Sequence, residues 1–177
     1  MPARKRDAER FERVYHDSYA VVFAYVRRRS SRAEAEDVTA ETFAIAWRRR
    51  EALPDPPTAW LIGVARGVLA NHARSGRRRV RLLSRLAAVG GEAVWNPEVA
   101  DRDPVLRAAL ERLSDLEREV LLLVAWEGLT PSEAATALGC TPVAARLRLQ
   151  RARRHLANAL AAPERMDVSD EAAEVVT

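Results

Sequence analysis

Five arginines, Arg146, Arg148, Arg151, Arg153 and Arg154, fall between Pro142 and Leu160 with no acidic residue among them. Guanidinium groups donate paired N–H bonds to phosphate oxygens and to guanine edges, so such a cluster suits nucleic acid. At about 100° per residue, Ala145, Leu149, Ala152, Leu156 and Leu160 share one helix face, while Val143, Leu147, Gln150, Arg151 and Arg154 point the opposite way. An apolar face turned to a core and a basic face turned outward would let the helix lie in a DNA major groove. A solvated charged helix in a bundle would carry the same residues.

A second arginine cluster, Arg74, Arg77, Arg78, Arg79 and Arg81, follows a segment with Arg66 and Asn71 among its polar residues. This density is an electrostatic footprint for a polyanion, with nucleic acid first and a membrane surface as the alternative. A third group has the opposite sign. Glu34, Asp37 and Glu41 line one face of a helix flanked by arginine runs. Spacing alone leaves a docking surface and a solvated face both open.

The elements that must position these groups are helical. Thr130, Pro131 and Glu133 form a capping-box start, Gly139 a stop, and Thr141 with Pro142 a second start two residues later. Two helices joined so tightly must diverge steeply, as in a helix-turn-helix. Upstream, Val105, Leu106, Ala109, Leu110 and Leu113 predict a short helix. Ser114 and Glu117 cap another, to about Glu127, ended by Gly128. Leu116, Val120, Leu121 and Val124 are expected to pack on Ala135 and Leu138.

In the first half, Phe11, Val14, Tyr15, Val22, Phe23 and Val26 predict an amphipathic helix from about Asp7 to Arg29. Ser31 and Glu34 open a second, to about Arg50, that would bury Ala35, Val38, Thr42, Phe43, Ala46 and Trp47. Pro54, Asp55, Pro56 and Pro57 form a stiff loop. Thr58 caps a third helix, to about Ser75, whose Trp60 reads as a core residue. Residues 82–104, with Gly90, Gly91, Asn96 and Pro97, read as a linker. The end of the chain past Pro163 is acidic and has no core.

Composition bounds the rest. The 177 residues are 48% hydrophobic and carry a net charge of +4, and all but one of the 29 basic residues are arginine. Residues 1–79 hold seventeen basic and ten acidic residues, whereas residues 163–177 hold one and five. One cysteine, Cys140, excludes an internal disulfide, and the scattered His16, His72 and His155 show no metal-ligand spacing. No metal and no cofactor is expected. No nucleophile–base pair or phosphate loop appears, so an enzyme is not expected. The opening MPARKRDAERFERV lacks a signal-peptide core and no long apolar run follows, which predicts a cytoplasmic protein without membrane insertion.

The order of these segments resembles the sigma-70 family of RNA polymerase sigma factors, specifically the short extracytoplasmic-function (ECF) type that has only regions two and four. AEDVTAETFAIAWRR is similar to that family's polymerase-docking helix, and TAWLIGVARGVLANHARSGRRR to its promoter-melting helix. LSDLEREVLLLVAWEGLTPSEAATALG followed by RLQRARRHL looks like region four.

The resemblance implies an all-α fold of two small helical domains: a region 2-like domain at 7–79, a linker at 80–104, a region 4-like helix-turn-helix domain at 105–161, and an acidic tail at 162–177. It assigns Asp37 and Glu41, with Val38 and Thr42 beside them, to core RNA polymerase. It assigns Leu53, Arg66, Asn71, Arg74, Arg77 and Arg78 to single-stranded promoter DNA. Thr141, Ala144, Arg146, Leu147, Arg148, Arg151 and Arg154 fall to promoter duplex. The implied function is recruitment of polymerase to promoters and help in opening them. An anti-sigma factor, where one exists, would wedge between the two blocks or clasp them.

Departures from the family pattern touch the contacts. Ala40 stands where glutamine is common and Gly67 where asparagine is common. Ala144 and Leu147 replace polar positions at the head of the last helix, so the promoter sequence does not carry over. Leu147 either packs on a thymine methyl or is simply exposed. A stand-alone helix-turn-helix regulator of duplex DNA is the alternative function, and it has no need of the acidic helix.

Overall fold

The computed structural model describes residues 2–83 and 103–161, with side chains for 5–75 and 103–161. Among these residues there are seven α-helices and no strand.

Helix α1 (Pro2–Arg27) is two-sided. Val14, Ser18, Val22, Tyr25 and Val26 are buried, while Tyr15 and Tyr19 lie exposed on a neighbouring face. After Ser30, the Ser31 hydroxyl accepts from the Glu34 amide and starts α2 (Arg32–Arg48). A 3₁₀ turn (Arg50–Ala52) and the proline loop lead into α3 (Thr58–Leu83). Arg10 of α1 ties that loop down, with Nη2 donating to the Leu53 carbonyl at 2.9 Å. Helices α1, α2 and α3 close on Val22, Val38, Phe43, Leu61, Ile62 and Ala65.

Two expectations change in this half. Trp47 is not in the core but 43% exposed; its ring stands edge-on to Phe11 at 5.1 Å and lies under the Arg50 guanidinium at 4.5 Å. Helix α3 does not stop near Ser75. It continues through Gly76 to Leu83, because one helical glycine costs only about 1 kcal/mol and the flanking turns tolerate it.

In the second half, Asp103 caps α4 (Pro104–Glu111), its Oδ1 accepting from the Val105 and Leu106 amides at 3.0 Å. Helix α5 (Asp115–Ala125) has the reciprocal Ser114–Glu117 capping box. Helix α6 (Pro131–Leu138) has the Thr130–Glu133 box and ends at Gly139, whose φ of +65° is the left-handed cap that favours glycine. Helix α7 (Pro142–Ala161) buries Ala145, Leu149 and Ala152 against α4, α5 and α6. The α7 stripe is shorter than expected: Leu156 is half-buried and Leu160 is exposed, as is Leu116 at the start of α5. Residues 84–102 of the expected linker lie outside the described residues, as does the acidic tail.

The two halves are in contact. Helix α3 lies on α6, so close that a Cβ on Gly63 would come within 3.1 Å of the Ala137 carbonyl oxygen. Beside this approach is a polar cluster. The Tyr25 hydroxyl donates to Glu119 Oε1 at 2.7 Å, and the Arg29 guanidinium lies 3.8 Å over the Tyr25 ring. Arg29 also reaches Glu119 Oε2 at 3.3 Å and Glu127 Oε1 at 3.4 Å, while Arg28 pairs with Glu127 Oε2. Burial, with the Glu119 carboxylate beside it, pushes the Tyr25 hydroxyl well above its usual range, so it remains a donor.

Candidate nucleic-acid interface

Three surfaces carry the residues singled out by sequence, and each is set by one helix. On α2, Asp37, Ala40 and Glu41 are exposed and Ala44 continues the stripe one turn on. Val38 and Thr42 are fully buried beneath it, and the Thr42 hydroxyl donates to the Val38 carbonyl at 2.7 Å. They are the floor of the acidic stripe. Glu41 Oε2 lies 3.1 Å from His72 Nε2 of α3, which joins the stripe to the next surface. His72 was invisible to spacing because its partner is 31 residues away.

On α3, Asn71 and Arg74 are exposed and bonded to one another through Oδ1 and Nη2. Their three-residue spacing puts them on one side of the helix. Arg66 is half-buried. Leu53 is 5% exposed and belongs to the core. Its carbonyl accepts from Arg10. The backbone carries Arg77 and Arg78 on the continuing α3, but their side chains lie outside the described residues. Arg10 is the residue that sequence reasoning missed here, since nothing local marks an arginine that holds a distant loop.

On α7, the Thr141 hydroxyl accepts from the Ala144 amide at 3.2 Å and starts the helix. Arg146, Leu147, Gln150, Arg151 and Arg154 are exposed, and Leu147 is 46% exposed with Val143 beside it at 70%. Ala144 and Arg148 are half-buried at the edge of the face. The outward group is therefore a basic row with an apolar leading end. Such a face can donate to phosphates and base edges, and it can cover a thymine methyl. It stands clear of α4, α5 and α6, which hold the opposite side.

Residues 11–79 match the sigma-70 region 2 family and residues 105–156 match sigma-70 region 4. The ECF RNA polymerase sigma factor SigL of Mycobacterium tuberculosis is 33% identical over 87% of this chain and 90% of its own length. The chain belongs to the sigma-70 family, as an ECF sigma factor. The ECF sigma factor BldN of Streptomyces coelicolor is 31% identical over 89% of this chain, which spans 63% of BldN. Among solved structures, the sigma factor RpoE from Bartonella quintana, co-crystallised with the anti-sigma factor NepR, superposes with a TM-score of 0.63. At 23% identity over 86% of this chain and 97% of RpoE, that likeness concerns the fold. In this sigma factor, α1, α2 and most of α3 are thus region 2, and α4 to α7 hold region 4. No described helix is long and apolar enough to cross a membrane.

Proposed function

We propose that this sigma factor binds core RNA polymerase through the acidic stripe of α2, brings it to promoters read as duplex by α7, and holds one separated strand along α3. The observation that carries the reading is the placement of three chemically distinct surfaces on three helices of a sigma-70 chain. Asp37 and Glu41 are exposed acids on a rigid floor, suited to a basic partner surface. Arg66, Asn71 and Arg74, with Arg77 and Arg78 beyond them, supply a basic track for a single strand. Extruding a base costs a few kcal/mol of stacking, offset when the strand is gripped. Arg146, Arg148, Arg151 and Arg154 address the duplex, with Thr141 fixing the helix start and Ala144 and Leu147 leaving room for apolar contact.

The protein does this as a binding factor and not as an enzyme, in the cytoplasm, with residues 7–79 and 105–161 as its working domains and 80–104 between them. An anti-sigma factor is the partner that would restrain it. Run-off transcription with purified core polymerase tests the reading. Transcription is expected to depend on the chain and to be lost in Asp37→Arg, because the reversed charge repels a basic docking surface. Promoter-duplex binding by the free variant should be unchanged. Polymerase-independent binding that accounts for all promoter occupancy, indifferent to Asp37→Arg, would instead make the chain a stand-alone regulator.

A further inference from the structure

The flank of α7 that faces α5 carries a bond that neither the basic row nor the helix caps account for. Glu117 lies in the first turn of α5, and its carboxylate divides its oxygens between two helices. Oε2 accepts from the Ser114 hydroxyl at 2.8 Å and from the Ser114 amide at 3.2 Å. Oε1 lies 3.0 Å from Nδ1 of His155 on α7. An ionised carboxylate only accepts, so Nδ1 is the donor whether the ring is neutral or charged. The Ser114 hydroxyl, against burial and with help from the Ser114 amide and His155, holds the Glu117 carboxyl below its usual range. The Glu117 side chain is 15% exposed and His155 is 46% exposed. A fixed, sheltered anion on α5 thus meets a longer reach from α7.

The bond matters because of what else holds α7. Its buried stripe is Ala145, Leu149 and Ala152. Helices resist turning about their axes by interlocking side chains, and alanine ridges are shallow. Helix α5 is the better anchored of the two, with Val120, Leu121, Leu122 and Leu123 buried. On α7, Ala144, Arg148, Arg151 and His155 follow one another at spacings of four, three and four, which sets them along one edge. That edge borders the outward face with Arg146 and Leu147. A turn of about 20° displaces the helix surface, about 5–6 Å from the axis, by about 2 Å. Hydrogen bonds to base edges tolerate about 0.5 Å. A tie at one end of the edge therefore decides what the whole face can reach.

We propose that His155 is a positioning residue for promoter reading: bonded to the Glu117 carboxylate, it fixes the rotation of α7 and so sets which base edges Arg146, Leu147 and Arg151 reach. The inference rests on the reading of α7 as the helix that meets promoter duplex. His155 touches no base itself. The capping box of α5 then has a second use, since the same carboxylate that starts one helix holds the angle of another.

Holoenzyme assembled from the full-length chain and core polymerase tests this on promoters altered at single base pairs of the duplex element. His155→Ala is expected to lower the ratio of cognate to altered promoter affinity by about fivefold or more, the least that a lost base-edge contact forfeits. The salt dependence of binding should stay that of the wild type. His155→Asn, whose amide nitrogen sits at the δ position as Nδ1 does, should restore the ratio. Ser114→Ala loosens the same cap but leaves the His155 bond in place, so it should lower the melting temperature without moving the ratio. Nitrogen-15 NMR of the imidazole in the free chain, above the histidine titration range, should find the ring proton on Nδ1. A proton on Nε2, an unchanged ratio in His155→Ala, or the same loss in Ser114→Ala overturns the proposal. A loss equal on all promoters, with a shallower salt dependence, makes His155 a phosphate contact and overturns it too. A wild-type holoenzyme with no promoter preference sinks the reading of α7 and the proposal with it; a proton found on Nδ1 then places the fault in that reading and not in the bond.

Discussion

Arg146 and Arg148 sit two residues apart on α7 but are not equivalent. Arg146 is exposed and free to enter a groove, whereas Arg148 is half-buried at the edge of the face. An arginine reading a guanine contributes about 1–3 kcal/mol of discrimination, and one holding a phosphate contributes to all sequences alike. Arg146→Ala is therefore expected to weaken the cognate promoter by about 1–3 kcal/mol and to flatten preference at one base pair. Arg148→Ala should weaken cognate and altered promoters together and reduce the salt dependence of binding by about one phosphate contact. Fluorescence anisotropy of holoenzyme on promoter variants at several salt concentrations separates the two. The reverse pattern would place Arg148 in the groove and Arg146 on the backbone. Leu147, exposed between these two arginines, and Val143, exposed between them and the turn, explain why composition alone could not name the target. Apolar side chains distinguish thymine by its methyl and leave the other bases undifferentiated.

At the scale of elements, signals carried by neighbouring residues were readable and those carried by distant ones were not. The Ser114–Glu117 and Thr130–Glu133 boxes, Pro142 and Gly139 lie within a turn of the helix ends they mark, and each helix forms where they direct. Trp47 and Leu116 are more exposed than the helical repeat predicts, because a repeat gives the face of a helix and not what covers it. Val38 and Thr42 show the same limit inside one motif: resemblance singled out the segment, and only packing divided it into an exposed stripe and a buried floor. The Thr130 cap carries its own prediction. Glu133 Oε2 accepts from the Thr130 hydroxyl at 2.7 Å and from the Thr130 amide at 2.8 Å, and these bonds hold its carboxyl below its usual range. A depressed folded-state pKa contributes stability that is full above the unfolded value, about 4.3, and is lost as pH falls through the folded value. Thr130→Ala should cost about 1 kcal/mol at neutral pH in urea unfolding, and the gap from wild type should narrow as pH drops below the unfolded value. A gap that widens on acidification would show that Glu133 is not part of the cap.

At the scale of the molecule, one buried apolar cluster runs from Val38 and Leu61 in the first half to Val120 and Leu149 in the second, and the polar seam adds to that coupling. The coupling could not be read from sequence. Tyr25, Arg28 and Arg29 meet their acidic partners across 90 to 99 residues, and Gly63 gives no sign of its opposing carbonyl. Gly63→Leu isolates this level. Its Cβ would lie 3.1 Å from a backbone oxygen and 3.3 Å from the Ala137 Cα, atoms that cannot rotate away, so α3 and α6 must separate. Overpacking costs about 1–3 kcal/mol, and for a chain of this size each kcal/mol lowers the melting temperature by about 2–4 °C. Calorimetry of the full chain should show one transition for the wild type. Gly63→Leu should show either two transitions or a broadened one whose van't Hoff enthalpy falls below the calorimetric enthalpy, because halves that no longer touch cannot melt as a unit. A single sharp transition at the wild-type temperature would mean that the seam transmits no cooperativity. The Gly63–Ala137 approach would then be a place where the halves rest against each other without holding.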